Sequence, residues 1–289
     1  CFTPGRKLLQ PIARTRVEYE LQMERNVNVA SENCPPENNW GVIERVRIYS
    51  MINKPIFIIG TSRSGTTFLY NLLAAHPDLC WFSTLTDRFP PYHQLAFVHR
   101  LLDLPLVGIY VKHRIINATR KHLIISPREG ARIYDDYCGF VYTKKTTERD
   151  RVRQTEQRFR SVIEGHLLLT RKRRFISKRL ENIQRIRLMN ALFPDAYFIH
   201  IIRDGRAVAN SLLRSSWWPE VPLWWHKGQR LLEVEATGKE LIEISGLHWQ
   251  HNVLEVFRNK EMLRDRYLEI RYESLTKDVR GVIRSIVDF

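Results

Sequence analysis

Four short stretches of the chain are dense in Ile, Phe and Tyr: residues 55–60 (PIFIIG), 174–177 (RFIS), 196–202 (AYFIHII) and 266–270 (RYLEI). Short apolar runs without strict alternation suit strands covered on both faces, as in a parallel sheet. Between them the apolar spacing changes to three and four. Phe68, Leu69, Leu72 and Leu73 predict a helix over 65–75, which His76-Pro77 ends. Val152, Phe159, Val162, Ile163 and His166 predict another over 148–170, and Ile183, Ile186 and Met189 one over 182–193. Further helices are predicted over 204–214, with Asp204 as N-cap, over 239–260 and from 278 onward. Residues 89–120 read as largely helical with a break at Pro105.

Strands alternating with helices make this an α/β domain with a mostly parallel central sheet flanked by helices. Right-handed crossovers put the loops that follow the strands on one edge of the sheet, where ligands bind. Three polar loops, after Ile59, Ile202 and Ile270, should therefore converge. Residues 1–50, polar and turn-rich in the middle (SENCPPENNW), read as an N-terminal arm, and 51–289 as the α/β domain. The chain starts at Cys1 and stops inside a helical pattern, so it reads as a fragment truncated at its C-terminus.

The first of the three loops carries a motif. Residues 60–67, GTSRSGTT, nearly spell the triphosphate-binding loop G-x-x-x-x-G-K-[ST], with Thr66 where the lysine belongs. A strand, such a turn and a helix place successive backbone N–H groups and the positive helix end around an anion. Without the lysine the loop suits an anion with less charge than a metal-bound triphosphate. Arg63 offers a planar fork to terminal oxygens.

The balance of 46 Lys+Arg against 31 Asp+Glu, formal net charge +15, adds attraction to polyanions. It favours an acidic acceptor or simply an anionic ligand, and singles out no nucleic acid. Cys1, Cys34, Cys80 and Cys138 form no C-x-x-C pair, so neither a zinc cluster nor a disulfide framework is indicated; free thiols are expected, with a Cys34–Cys138 bridge left open. No run of about 18 apolar residues marks a membrane span.

GTSRSGTTFLYNLLAAHPD, FPDAYFIHIIRDGRAVANSLL and YLEIRYESL, taken together and in this order, resemble the sulfotransferase family over residues 50–289. The likeness is to the tyrosylprotein and related bacterial or Golgi-type branch more than to the cytosolic phenol enzymes. The resemblance implies a three-layer P-loop-like fold, 3′-phosphoadenosine 5′-phosphosulfate as donor, and no metal. It implies that Ser62, Arg63, Ser64, Gly65, Thr66 and Thr67 hold the 5′-phosphosulfate, that Arg203 and Ser211 hold the 3′-phosphate, and that Tyr272 lies beside the adenosine. Lys178, in FISKRLENI, becomes a candidate to stabilise charge on the oxygen bridging phosphorus and sulfur, with Arg63 assisting. Its basic neighbourhood (Arg171 to Arg174, Arg179) also fits a solvated stretch.

Many relatives carry a glutamate soon after the H-P that ends the first helix. This chain has Ser83 or Thr84 there. Asp87 is the nearest acid and the candidate general base, with His93 next. Trp217, Trp218, Trp224 and Trp225 suit either an acceptor pocket or a loop sealed to the core. His248 and His251 read as helix histidines rather than metal ligands. The acceptor is a hydroxyl or amine of a carbohydrate, protein tyrosine, lipid or small molecule. The alternatives are a divergent P-loop kinase or nucleotide hydrolase, and a non-enzymatic polyanion-binding module. Compartment is open: the cytoplasm for a bacterial chain, the Golgi lumen for one that has lost an anchor.

Overall fold

The computed structural model describes residues 52–105, 108, 110, 113, 125–138 and 152–289. The chain divides into two units, Cys1–Ile48 and Tyr49–Phe289, and every described residue lies in the second. The arm over 1–50, Cys34 and the Cys138 side chain fall outside the described residues.

Five strands form one parallel sheet: β1 Ile56–Ile59, β2 Leu79–Cys80, β3 Arg174–Ser177, β4 Tyr197–Ile202 and β5 Tyr267–Arg271. Their spatial order is β2-β3-β1-β4-β5, and every described pair is parallel. The strand that leads into the glycine-bracketed loop is thus central. Its neighbours are β3 on one side and β4 on the other, in register from Ile56↔Tyr197 to Ile59↔His200.

Alternation along the strands builds two cores, one on each face. Phe57, Ile59, Phe175 and Phe198 face α3 (Ala131–Cys138), α4 (Val152–Thr170), α5 (Ile186–Leu192) and the far end of α8 (Leu241–Leu263). Ile56, Ile58, Ile176, Ile199 and Ile201 face α1 (Thr66–Ala74), α9 (Tyr272–Lys277) and α10 (Val279–Asp288). This is the three-layer arrangement the sequence predicts. A third cluster joins α6 (Gly205–Leu213), α7 (Leu231–Glu235) and the first half of α8 around Trp218 and Leu223.

The departures from the sequence reading are local. β2 has no counterpart among the strands the sequence predicts: at two residues it is too short for a periodic signal. The inward face of α1 is Leu69, Tyr70 and Leu73, while Phe68 and Leu72 are only partly buried. Residues 90–103 form a 3₁₀ helix kinked at Tyr92 rather than an α-helix, after a short α2 (Thr84–Arg88). The segment over 182–193 opens with a 3₁₀ turn, Leu180–Arg185, before α5. Asp204 caps α6 by accepting from the Arg206 backbone N–H, as predicted.

Candidate active site

Gly65 occupies the N-cap of α1 at φ 89°, ψ 9°, a left-handed conformation that favours glycine. No side chain caps the helix there, so the amides of the first turn, which have no intrahelical partner, are left for a ligand. Arg63 is also left-handed, at φ 70°, and the turn closes with the Ser64 N–H donating to the Thr61 carbonyl at 3.1 Å. Two side chains mark the inside of this turn. Thr66 is buried, and the Ser64 hydroxyl is buried with no hydrogen-bond partner among the described residues. A buried hydroxyl left unpaired is costly, and an anion oxygen in the cradle would satisfy it. Ser62 and Thr67 are half-buried at the rim, and Arg63 is exposed.

The loop after β4 meets this turn directly. Arg203 Nη1 donates to the Arg63 carbonyl at 3.0 Å, and Arg63 Nε donates to Ser211 Oγ at 2.9 Å. The Arg203 carbonyl in turn accepts from Trp249 Nε1 of α8 at 3.0 Å. The loop after β5 completes the cluster. The Arg203 guanidinium lies 4.5 Å from the centre of the Tyr272 ring, a cation–π contact. That ring also covers Gly65, where a Cβ would stand 2.3 Å from Tyr272 Cδ2. Three loops from three parallel strands therefore converge on one glycine-bracketed turn. Arg206 is committed elsewhere: it pairs with Asp204, and that bond holds the Asp204 carboxyl well below the usual range.

Lys178 directly follows β3. It is not part of a solvated charge run: its side chain is 4% exposed, against 81% for Arg173. Its ammonium pairs with the Glu129 carboxylate, which is 36% exposed. Sequence reasoning missed Glu129, since the partners are 49 residues apart and nothing in the local sequence SPREGAR marks it. Asp87 lies in α2, and its Oδ1 accepts from the Arg132 backbone N–H at the start of α3 at 2.9 Å. Burial pushes its carboxyl up, against backbone hydrogen bonds that pull it down. His93 belongs to the 3₁₀ helix and packs its ring near Gly165 of α4.

The tryptophans seal their loop. Trp218 is buried and donates to Ser245 Oγ at 2.9 Å. Trp224 donates to Asn252 Oδ1 at 3.2 Å. Trp225 donates to His248 Nδ1 at 3.3 Å and stacks on His251 with ring centres 4.5 Å apart. Trp217 is exposed. Among the described residues no group of three or more His, Cys, Asp or Glu side chains could hold a metal, and no helix is long and apolar enough to cross a membrane. Cys80 is a buried free thiol, its pKa pushed up to about 12 by burial.

A central parallel sheet with a glycine-bracketed turn after its middle strand, and an arginine from the loop after the neighbouring strand bonded to that turn, defines a P-loop-like α/β domain. The model described as the sulfotransferase family matches residues 55–289, and the chain belongs to that family. Among curated proteins it is similar to omega-hydroxy-beta-dihydromenaquinone-9 sulfotransferase Stf3 of Mycobacterium bovis and of Mycobacterium tuberculosis, at 23% identity over 264 residues in each case. That match covers 84% of this chain and 64% of each relative, so the chain spans a little under two thirds of their length. Among solved structures, sulfotransferase STF1 of Mycobacterium tuberculosis shares the fold with TM-score 0.54 at 18% identity, covering 81% of this chain and 66% of that one. Sulfotransferase STF9 of Mycobacterium avium does so with TM-score 0.53 at 16% identity, covering 95% and 68%.

Proposed function

We propose that this protein transfers a sulfuryl group from 3′-phosphoadenosine 5′-phosphosulfate to a hydroxyl or amine acceptor. The observation that carries the reading is the double link between the loops after β1 and β4: Arg203 Nη1 to the Arg63 carbonyl and Arg63 Nε to Ser211 Oγ. That link joins the two loops directly, which supports a reading in which both grip one small nucleotide bearing two anionic groups. The residues present fit that donor. The first-turn amides of α1, Ser62, the unpartnered Ser64 hydroxyl, Thr66, Thr67 and Arg63 would hold the phosphosulfate end. Arg203 and Ser211 would hold the 3′-phosphate, and Tyr272 would lie against the adenosine. The donor supplies an activated sulfur whose bond to the bridging oxygen breaks by in-line displacement, by analogy with phosphoryl transfer. Lys178 and Arg63 would stabilise the charge arriving on that oxygen, and cations placed in advance at such a position supply much of the rate.

The lysine that a triphosphate site needs is replaced by Thr66, which disfavours the kinase or hydrolase alternative. The mycobacterial relatives' name specifies an omega-hydroxylated dihydromenaquinone, so a hydroxyl acceptor is the first class to screen. Calorimetric titration with adenosine 3′,5′-bisphosphate and, separately, with Mg-ATP tests the reading. Binding of the bisphosphate at micromolar concentration, with no preference for Mg-ATP, is the expected result. Preference for Mg-ATP favours the kinase or hydrolase, and indifference to both favours a polyanion-binding module. Arg203→Ala is expected to weaken bisphosphate binding by about 1.5–3 kcal/mol, the scale of a hydrogen bond to a charged group, and an unchanged dissociation constant removes Arg203 from the site.

A further inference from the structure

We propose that Glu129 is the general base of the transfer, accepting the proton of the attacking hydroxyl; the inference rests on the sulfuryl-transfer reading above.

The segment that carries Glu129 is held from three sides. It runs antiparallel to the exit of β2, through the Ser83↔Pro127 bridge, the Arg128 N–H on the Phe82 carbonyl at 2.7 Å and the Thr84 N–H on the Ser126 carbonyl at 2.9 Å. Tyr70, on the helix that follows the anion cradle, donates its hydroxyl to the Arg128 carbonyl at 3.1 Å. Gly130 turns the chain into α3 at φ 70° with the Phe82 ring so close that a Cβ would stand 2.4 Å from Cδ2. The backbone on either side of Glu129 is therefore anchored to α1, to the β2 exit and to α3. The carboxylate itself reaches the Lys178 ammonium at the end of β3, one residue beyond the Phe57↔Ser177 pairing with the strand that feeds the cradle.

The pair is asymmetric. The cation is enclosed, while the carboxylate opens to solvent on its other side, where an acceptor can approach. Other carboxylates near this edge of the sheet have other partners. Asp204 holds Arg206, Glu273 accepts from the Asp204 backbone N–H, and Asp87 accepts from the Arg132 backbone N–H. Among the described residues, Glu129 is the carboxylate in contact with the cation assigned to the leaving oxygen.

That contact gives a balanced step. The acceptor oxygen forms a bond to sulfur as the bond from sulfur to the bridging oxygen breaks. The electron pair of the breaking bond stays on the bridging oxygen, which leaves as part of adenosine 3′,5′-bisphosphate. The acceptor proton passes to the Glu129 carboxylate and then to water on its exposed side. Negative charge disappears from Glu129 as it arrives on the leaving oxygen. The enclosed ammonium of Lys178, which is costly to leave without a counter-charge, keeps a partner throughout.

The test uses the full chain, labelled donor and water as acceptor, reading sulfate release at saturating donor, with Glu129→Gln and Glu129→Ala. Bisphosphate affinity should stay within about threefold in both variants, and release should fall about 10²–10⁴-fold, the range of general acid–base catalysis. The acidic limb of the pH profile should disappear in Glu129→Gln, and formate should restore release to Glu129→Ala. Undiminished release in Glu129→Gln overturns the proposal. So does a loss of release with the acidic limb retained and no rescue by formate, which would make Glu129 only the partner that keeps Lys178 in place. A wild-type chain that binds bisphosphate but releases no sulfate also overturns it. Failure of the wild type to bind bisphosphate defeats the sulfuryl-transfer reading itself and is distinguished by that measurement.

Discussion

Gly65→Ala abolishes useful donor binding: the dissociation constant for adenosine 3′,5′-bisphosphate rises by up to about 100-fold. Two costs arise. An alanine at φ 89° sits in the left-handed region, at about 1–2 kcal/mol. Its methyl would also stand 2.3 Å from Tyr272 Cδ2 and 2.6 Å from Cε2, so the ring must swing away. Tyr272 is the surface on which the Arg203 guanidinium rests, 4.5 Å from the ring centre. A displaced ring therefore loosens the arginine that bonds the Arg63 carbonyl. Backbone strain burdens the free and the bound protein alike, so the loosened arginine sets the change in affinity: a charged hydrogen bond is worth about 1.5–3 kcal/mol, up to roughly two factors of ten. A double-mutant cycle with Tyr272→Ala checks the route. Removing the ring should soften the effect of Gly65→Ala, because the clash has gone. If the two substitutions are additive, the ring does not transmit the damage, and the coupling of the β5 loop to the cradle is wrong.

The parts of this site that the sequence made legible are those carried by short-range pattern. IFII is buried along its whole length, and such a run followed by a glycine-bracketed turn and an amphipathic helix announces a central parallel strand feeding an anion cradle. Asp204 at the head of GRAVANSLL announces a capped helix in the same way. The convergence of the loops after β1, β4 and β5 followed from topology, because every described crossover joins parallel strands. What stayed hidden depends on partners distant in sequence. Lys178 lies in a run of Lys and Arg whose members have opposite fates: just past β3, it and Arg179 are enclosed, while Arg173 points to solvent. Glu129 takes its meaning from Lys178 and from Tyr70, which touches its neighbour Arg128 from 58 residues away. Asp87, the acid nearest in sequence to Ser83 and Thr84, finds a backbone partner on α3 that no local pattern discloses.

Acidification from pH 7.5 to pH 5 removes most of the folding stability, and the cause is four enclosed imidazoles. His99, His166, His200 and His248 are all buried. Burial pushes His99, His200 and His248 down to about 3 and His166 down to about 4. In the unfolded chain each returns to about 6.5. Between those values the unfolded state binds more protons, so stability rises with pH across the window. It is fully present above about 6.5 and is lost as pH falls toward the folded values. At pH 5 each imidazole costs about 1.5 units at 1.36 kcal/mol, or roughly 2 kcal/mol. Four together approach about 8 kcal/mol, against a total of about 5–15 kcal/mol for an ordinary domain. Asp87, Asp135 and Asp136 act in the opposite sense, since burial raises their carboxyls, but they are partly solvated and screening reduces what they return. The loss has a local mechanism at His248. Its Nδ1 accepts from Trp225 Nε1 at 3.3 Å, and a protonated ring would set N–H against N–H and release the tryptophan loop from α8. Chemical denaturation at pH 7.5 and pH 5 reads the effect. His248→Gln, whose amide oxygen can accept from Trp225, should flatten the pH dependence by about one histidine's share, roughly 2 kcal/mol. Equal stability at the two pH values would mean that these rings are already open to water in the folded protein.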